Sequence, residues 1–137
     1  MSRHLACYTR HVASHLLRAS ATDSIAAIKA GLPYQVFEDL AHELGVPGNV
    51  LARTISVPAR TLQRRKQEGS FRADESDRLF RILRLSERAG EVLGASGAPW
   101  LREPKRFLGG RTPLDFADTE AGAWEIMQAL GRLEHGV

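Results

Sequence analysis

Apolar side chains in this chain recur three and four positions apart, and no convincing stretch alternates them with polar ones. In "PYQVFEDLAHELG", residues 33–45, Val36, Phe37, Leu40, Ala41 and Leu44 repeat at that interval. In residues 74–93, Leu79, Ile82, Leu83, Ala89, Val92 and Leu93 line one side, and Arg78, Arg81, Arg84, Glu87, Arg88 and Glu91 occupy the rest. A helix gathers residues at i, i+3, i+4 and i+7 onto one face, whereas a half-buried strand needs a period of two. The spacing therefore predicts a nearly all-α fold.

Glycine and proline divide the helices. Pro33 suits a first turn and Gly45 a C-terminal cap. After the Pro47–Gly48 turn come a short helix over about 49–55, a break near Ser56 and a second helix over about 58–68, ended by Gly69 and Ser70. "GASGAP", residues 94–99, reads as a loop or hinge and as the best domain boundary. "GGRTPLD", residues 109–115, reads as a turn feeding a helix, with Thr112 as N-cap, Pro113 as first helical residue and Asp115 three beyond the cap. A final helix over about 119–134 presents Ala123, Ile126 or Met127, Leu130 and Leu133, with Asp118 as its expected cap. The first 32 residues are least informative. Leu5, Val12 and Leu16 fit one helical face, and Ile25 and Ile28 another.

Composition bounds the class. The 137 residues are 43% hydrophobic and 26% charged, enough for one ordinary domain or two very small ones. Cys7 is the only cysteine, which rules out an intramolecular disulfide and fits a reducing compartment. His4, Arg10, His11, His15 and Arg18 interrupt any signal-peptide-like stretch. No run approaches the roughly 20 apolar residues that span a bilayer. A cytoplasmic protein with no membrane partner is expected. The net charge of +3 is unevenly placed. Between residues 53 and 72, six bases (Arg53, Arg60, Arg64, Arg65, Lys66 and Arg72) face one acid, Glu68. Between 115 and 134, five acids (Asp115, Asp118, Glu120, Glu125 and Glu134) face one base, Arg132. One segment suits a polyanion, and the other carries the opposite field.

The basic segment has the spacing of a helix-turn-helix. Such a unit needs a small residue where its helices cross, a small or flexible turn residue about four positions later, an apolar residue next, and a buried apolar position about five further on. Ala52, Ser56, Val57 and Leu62 supply these. Ser56 stands where Gly is commoner, and a serine there can hold the turn and cap the next helix. With Leu62 inward, Ala59, Arg60, Gln63, Arg64 and Gln67 fall on the outward face, given about 3.6 residues per turn. Arginine can fork onto guanine and glutamine onto adenine. Arg53, Arg65 and Lys66 are expected to meet phosphates, adding salt-dependent affinity without sequence information. The plainer alternative is a solvated bundle helix, but such helices usually alternate sign, and here the first acid is Glu68.

Other constellations carry little. His4, Cys7, His11 and His15 fall at three- and four-residue spacing but match no strong zinc signature, so no metal is expected. Asp74, Glu75 and Asp77 sit at a helix N-terminus, where the dipole favours acids without any active site. Gly109–Gly110 is followed by Arg-Thr-Pro, not by the Lys-Ser or Lys-Thr of a phosphate loop. No nucleophile context is present, so neither an enzyme nor a cofactor is expected.

The last forty residues are the most distinctive. Trp100, Leu101, Pro104, Leu108, Gly109, Gly110, Arg111, Thr112, Pro113 and Leu114 are followed by an acidic helix and by Gly131, Arg132, Leu133, Glu134, His135, Gly136 and Val137. This pattern resembles the toxin-binding domain of Xre/MbcA/ParS-type antitoxins, and the helix-turn-helix ahead of it agrees in order and spacing. The resemblance implies three segments: an N-terminal leader or helical extension over 1–32, a DNA-binding domain over 33–94 and a toxin-binding domain over 95–137. It implies a RES-domain toxin that destroys NAD as partner. The antitoxin's C-terminal Arg132, Glu134, His135, Gly136 and Val137 would cover that toxin's entrance. It also implies the antitoxin's own promoter as DNA target. A single recognition helix gives modest specificity, so a homodimer is expected, its two recognition helices entering successive major grooves about 34 Å apart. Residue 102 is Arg where many relatives carry Asn, and many relatives extend past the position of Val137, which implies a shallower plug here. Trp100 and Trp124 are expected in the core, and Arg111–Leu114 are expected to serve folding. The alternatives are a stand-alone helix-turn-helix repressor and, less favoured by the residues, a small helical enzyme.

Overall fold

The computed structural model describes residues 15–136, of which 15–18 form a helical turn. Eight helices follow: α1 (Ala21–Ala30), α2 (Tyr34–Leu44), α3 (Gly48–Thr54), α4 (Ala59–Glu68), α5 (Ala73–Leu93), α6 (Gly97–Arg102), α7 (Pro113–Phe116) and α8 (Glu120–Glu134). Among the described residues there is no strand, only one isolated bridge between Pro33 and Ser70. The all-α expectation holds.

The 21-residue α5 is the frame. It packs against α1 and α2 on one flank and against α6 and α8 on the other. Leu79, Ile82, Leu83, Leu85 and Ala89 are all buried along it. These join Phe37, Leu40, Leu44, Leu51 and Ile55 from α2 and α3, and Leu101, Leu114, Ile126 and Leu130 from the C-terminal helices, in one continuous core. An aromatic cluster closes the base of α2, with Tyr34 and Phe71 ring centroids 5.5 Å apart and Phe37 5.7 Å from Phe71. The chain leaving α4 is pinned there. The Phe71 N–H donates to the Leu32 carbonyl at 2.9 Å, and the Leu32 N–H donates to Ser76 Oγ at 2.8 Å.

Several local expectations change. The segment 94–99 is no hinge: Gly94–Ser96 is one 3-10 turn and α6 starts at Gly97. A Cβ on Gly97 would lie 2.7 Å from the Ala89 carbonyl, so glycine lets α6 close onto α5. Thr119, not Asp118, caps α8, its Oγ1 accepting the Gly122 N–H at 3.0 Å. Thr112 does cap α7, accepting the Asp115 N–H at 3.0 Å. In α1 it is Ser24 that is buried, its hydroxyl donating to the Leu16 carbonyl at 3.0 Å, while Ile25 is half exposed. Leu5 and Val12 lie outside the described residues. Arg102 donates to the Leu44 carbonyl at 3.1 Å and so fastens α6 to the C-terminal end of α2.

Gly122 tests the α7–α8 junction. A Cβ there would overlap the Phe116 carbonyl oxygen. Gly122→Ala is expected to lower stability by about 2 kcal/mol or more despite alanine's better helix propensity. Thermal unfolding followed by circular dichroism measures it.

Candidate nucleic-acid interface and C-terminal partner surface

α3 and α4 form the helix-turn-helix. Ala52, Ile55 and Val57 are buried at the crossing, and Leu62 is partly buried. Ser56 adopts φ 56°, a left-handed conformation that ordinarily selects glycine. It holds the turn but does not cap: α4 begins after Pro58 with no side-chain cap bond.

The outward face of α4 carries exposed Ala59, Arg60, Gln63, Arg64, Lys66 and Gln67. Arg53, on α3, is also exposed, and together with Gln63 and Lys66 it borders a groove of about 890 Å³ between α2, α3 and α4. Lys66 approaches Glu38 at 4.0 Å, too long and too exposed a pair to hold it firmly.

Arg65 departs from expectation. It is 4% exposed and cannot meet a phosphate. Its Nε donates to Glu75 Oε1 at 2.6 Å and its Nη2 to Glu75 Oε2 at 3.1 Å, a two-pronged pair between α4 and α5. Glu75 also accepts the Arg72 N–H at 2.9 Å, so it is more than a helix-dipole acid. Burial opposes ionisation of Glu75, but the bonds from Arg65 and the Arg72 amide, with the charges of Arg65 and Arg78, hold its carboxyl below the ordinary value. A second tether joins the same parts: Arg78 Nε donates to the Ile55 carbonyl at 2.6 Å, at the end of α3. Sequence position gave no signal for this, because Arg65 lies within a run of bases and its partner is ten residues away in another helix.

The C-terminal segment is less anionic than its composition. Asp115 pairs with Arg53 at 3.9 Å, Asp118 with Arg111 at 3.9 Å, Glu120 with Arg81 at 2.9 Å and Glu134 with Arg88 at 2.7 Å. Among the described residues, only Glu125 of the five acids has no ion-pair partner. The Arg88 guanidinium holds the Glu134 carboxyl below its ordinary range. Arg132, Glu134, His135 and Gly136 are exposed at the end of α8, while Val137 lies outside the described residues. Gly109 and Gly110 both have positive φ, 66° and 86°, which explains the Gly-Gly turn. Trp100 packs half-buried, with Lys105 Nζ 5.1 Å from its ring centre. Trp124 is not in the core: it is 57% exposed, and Leu133 is 49% exposed. Of the four candidate metal ligands, His15 alone is described, and among the described residues no cluster suits a metal. No helix among them is long and apolar enough to cross a membrane.

The fold and these two surfaces define a helix-turn-helix protein with a C-terminal partner-binding unit. A family model described as the antitoxin Xre-like helix-turn-helix domain matches residues 23–84. One described as the antitoxin Xre/MbcA/ParS C-terminal toxin-binding domain matches residues 88–136. An "Antitoxin Xre" of Yersinia enterocolitica is 33% identical over 115 residues, 81% of this chain and 78% of that protein. An "Antitoxin Xre" of Photorhabdus laumondii is 32% identical over 116 residues, 82% of this chain and 78% of that protein. A "Prs ADP-ribosylating antitoxin" of a Sphingobium species is 26% identical over 133 residues, 88% of this chain and 84% of that protein. The chain belongs to the Xre-type antitoxin family.

Breaking the buried pair from one side leaves an uncompensated charge. Arg65→Met is expected to cost about 3–5 kcal/mol at neutral pH, and the double change Arg65→Met with Glu75→Leu to recover most of it. Because the folded Glu75 value is depressed, its contribution is full above its ordinary value of 4.5 and is lost as pH falls through the depressed one. Urea unfolding between neutral pH and pH 3 should show the double variant losing less stability on acidification than the parent.

Proposed function

We propose that this antitoxin neutralises a co-encoded RES-domain toxin, an enzyme that degrades NAD, and represses its own operon. The observation that carries the DNA half is the face of α4. Arg60, Arg64 and Lys66 project from it beside Gln63 and Gln67, while the one base turned inward, Arg65, anchors the helix to α5. Arg60, Gln63, Arg64 and Gln67 read base edges in the major groove, and Arg53 and Lys66 meet phosphates. The protein works in the cytoplasm as a homodimer, so that two copies of α4 address successive grooves. Residues 33–94 form the DNA-binding part and 95–137 the toxin-binding part, with α5 lending a flank to each.

Toxin neutralisation rests on the exposed end of α8. Arg132, Glu134, His135, Gly136 and Val137 cover the entrance of the toxin's NAD pocket. Glu134 is latched to Arg88 in the free chain, so its engagement by the toxin exchanges one cationic partner for another. With the acids of residues 115–134 mostly paired inside the chain, shape and the tail's own groups carry the fit more than a broad negative field. The chain has no catalytic part in this scheme and needs no cofactor.

Arg60→Ala and Arg64→Ala should each weaken operator binding about tenfold or more and relax its sequence preference, with toxin neutralisation unchanged. Deleting residues 132–137 should abolish growth protection against the co-expressed toxin and leave operator binding intact. Gel-shift titration and a growth assay read the two activities separately. Equal loss of both from either change would contradict this division.

A further inference from the structure

Two glycines of α8 differ in what they do for the fold. Gly122 is required, because a side chain would strike the Phe116 carbonyl. Gly131 is not: a Cβ there would meet nothing within 4 Å. A helix-interior glycine is a weaker helix former than alanine, so an open one is unexplained by the free chain. Gly131 lies seven residues after Trp124. Positions 124, 128, 131 and 135 stand at i, i+4, i+7 and i+11 and so share one helical face. That face holds the exposed indole of Trp124, 57% accessible, where an amphipathic helix would ordinarily place a polar group. The indole lines a cleft of about 410 Å³ between α5 and α8, together with Phe80, Leu85 and Met127 and with the polar Arg81, Arg84 and Glu120. Arg84 has no ion-pair partner among the described residues.

We propose that this stripe of α8, and not the terminal tail alone, docks the toxin. Trp124 enters an apolar pocket on the toxin, a toxin carboxylate reaches Arg84, and the missing side chain at Gly131 admits the toxin's surface to the helix backbone. The inference rests on the reading given above and deepens it. Two observations select the toxin over other occupants. α8 lies entirely within the segment matching the toxin-binding domain. The stripe also runs into His135, the C-cap at the exposed end of the helix. Large aromatic side chains and arginines at the centre of an interface carry disproportionate binding energy.

The test uses the full-length antitoxin and the purified RES-domain protein encoded beside it, with affinity measured by calorimetry. Trp124→Ala and Gly131→Leu are each expected to weaken binding at least tenfold. Gly131→Leu should meanwhile keep or raise the Tm of the free antitoxin, since the leucine has open space and helix propensity. Both variants should keep parental operator affinity. Parental toxin affinity in both variants, with the unmodified protein binding, would overturn the stripe and leave the proposed function standing. So would conversion of a dimer to a monomer by Trp124→Ala without loss of toxin affinity, which would assign the stripe to self-association. Failure of the unmodified antitoxin to bind would overturn the proposed function, and the stripe with it.

Discussion

Burial of α5 on two flanks is the constraint from which the rest of this molecule follows. A surface helix buries a stripe of roughly 100°. On α5 the buried positions Glu75, Ser76, Leu79, Ile82, Leu83, Leu85 and Ala89 sweep about half the circumference at 3.6 residues per turn. α1 and α2 take one part of it, α6 and α8 the other. The two family matches meet within this helix, one ending at residue 84 and the other starting at 88. The helix-turn-helix and the toxin-binding unit therefore share a structural member and are not beads on a linker.

The same helix organises the charges. Its arginines reach in both directions: Arg78 to the end of α3, Arg81 to Glu120 at the start of α8, and Arg88 to Glu134 at the end of α8. Its one buried acid, Glu75, accepts the inward arginine of α4. That pair fastens the middle of α4 to α5, while the Tyr34 N–H, donating to the Gly69 carbonyl at 2.9 Å, holds its C-terminal end. The cost of ionic burial is offset there by a bidentate geometry and a third hydrogen bond. The outward face of α4 is thus held partly by Arg65, the one base of that helix turned inward. At the far end, exposed pairs spend the acids of α7 and α8 on the chain's own bases, and such pairs give register more than stability.

Much of this was legible in the residues. The period of Val36, Phe37, Leu40 and Leu44 defines α2, Gly45 ends it, and Thr112-Pro113 opens α7. Ser56 and its neighbours mark the turn by spacing alone. What was hidden depends on long-range geometry. Arg65 looks like any base in a basic run until Glu75 is brought opposite it. The glycines of 94–99 look like a linker, although Gly97 is there for close helix approach. Trp124 looks like core because apolar residues usually are, yet α8 turns it outward. The acidic stretch looks like a field until its partners on α3 and α5, and Arg111 ahead of α7, are placed.

α5 joins the helix-turn-helix and the toxin-binding unit into one cooperative body. Native-state hydrogen exchange across α2, α5 and α8, at increasing but sub-denaturing urea, tests it most directly. The buried amides around Leu40, Leu83 and Ile126 should merge into a single opening with one free energy and one urea dependence. A separate, lower-energy opening that releases α8 while α2 and the first half of α5 stay protected would contradict it.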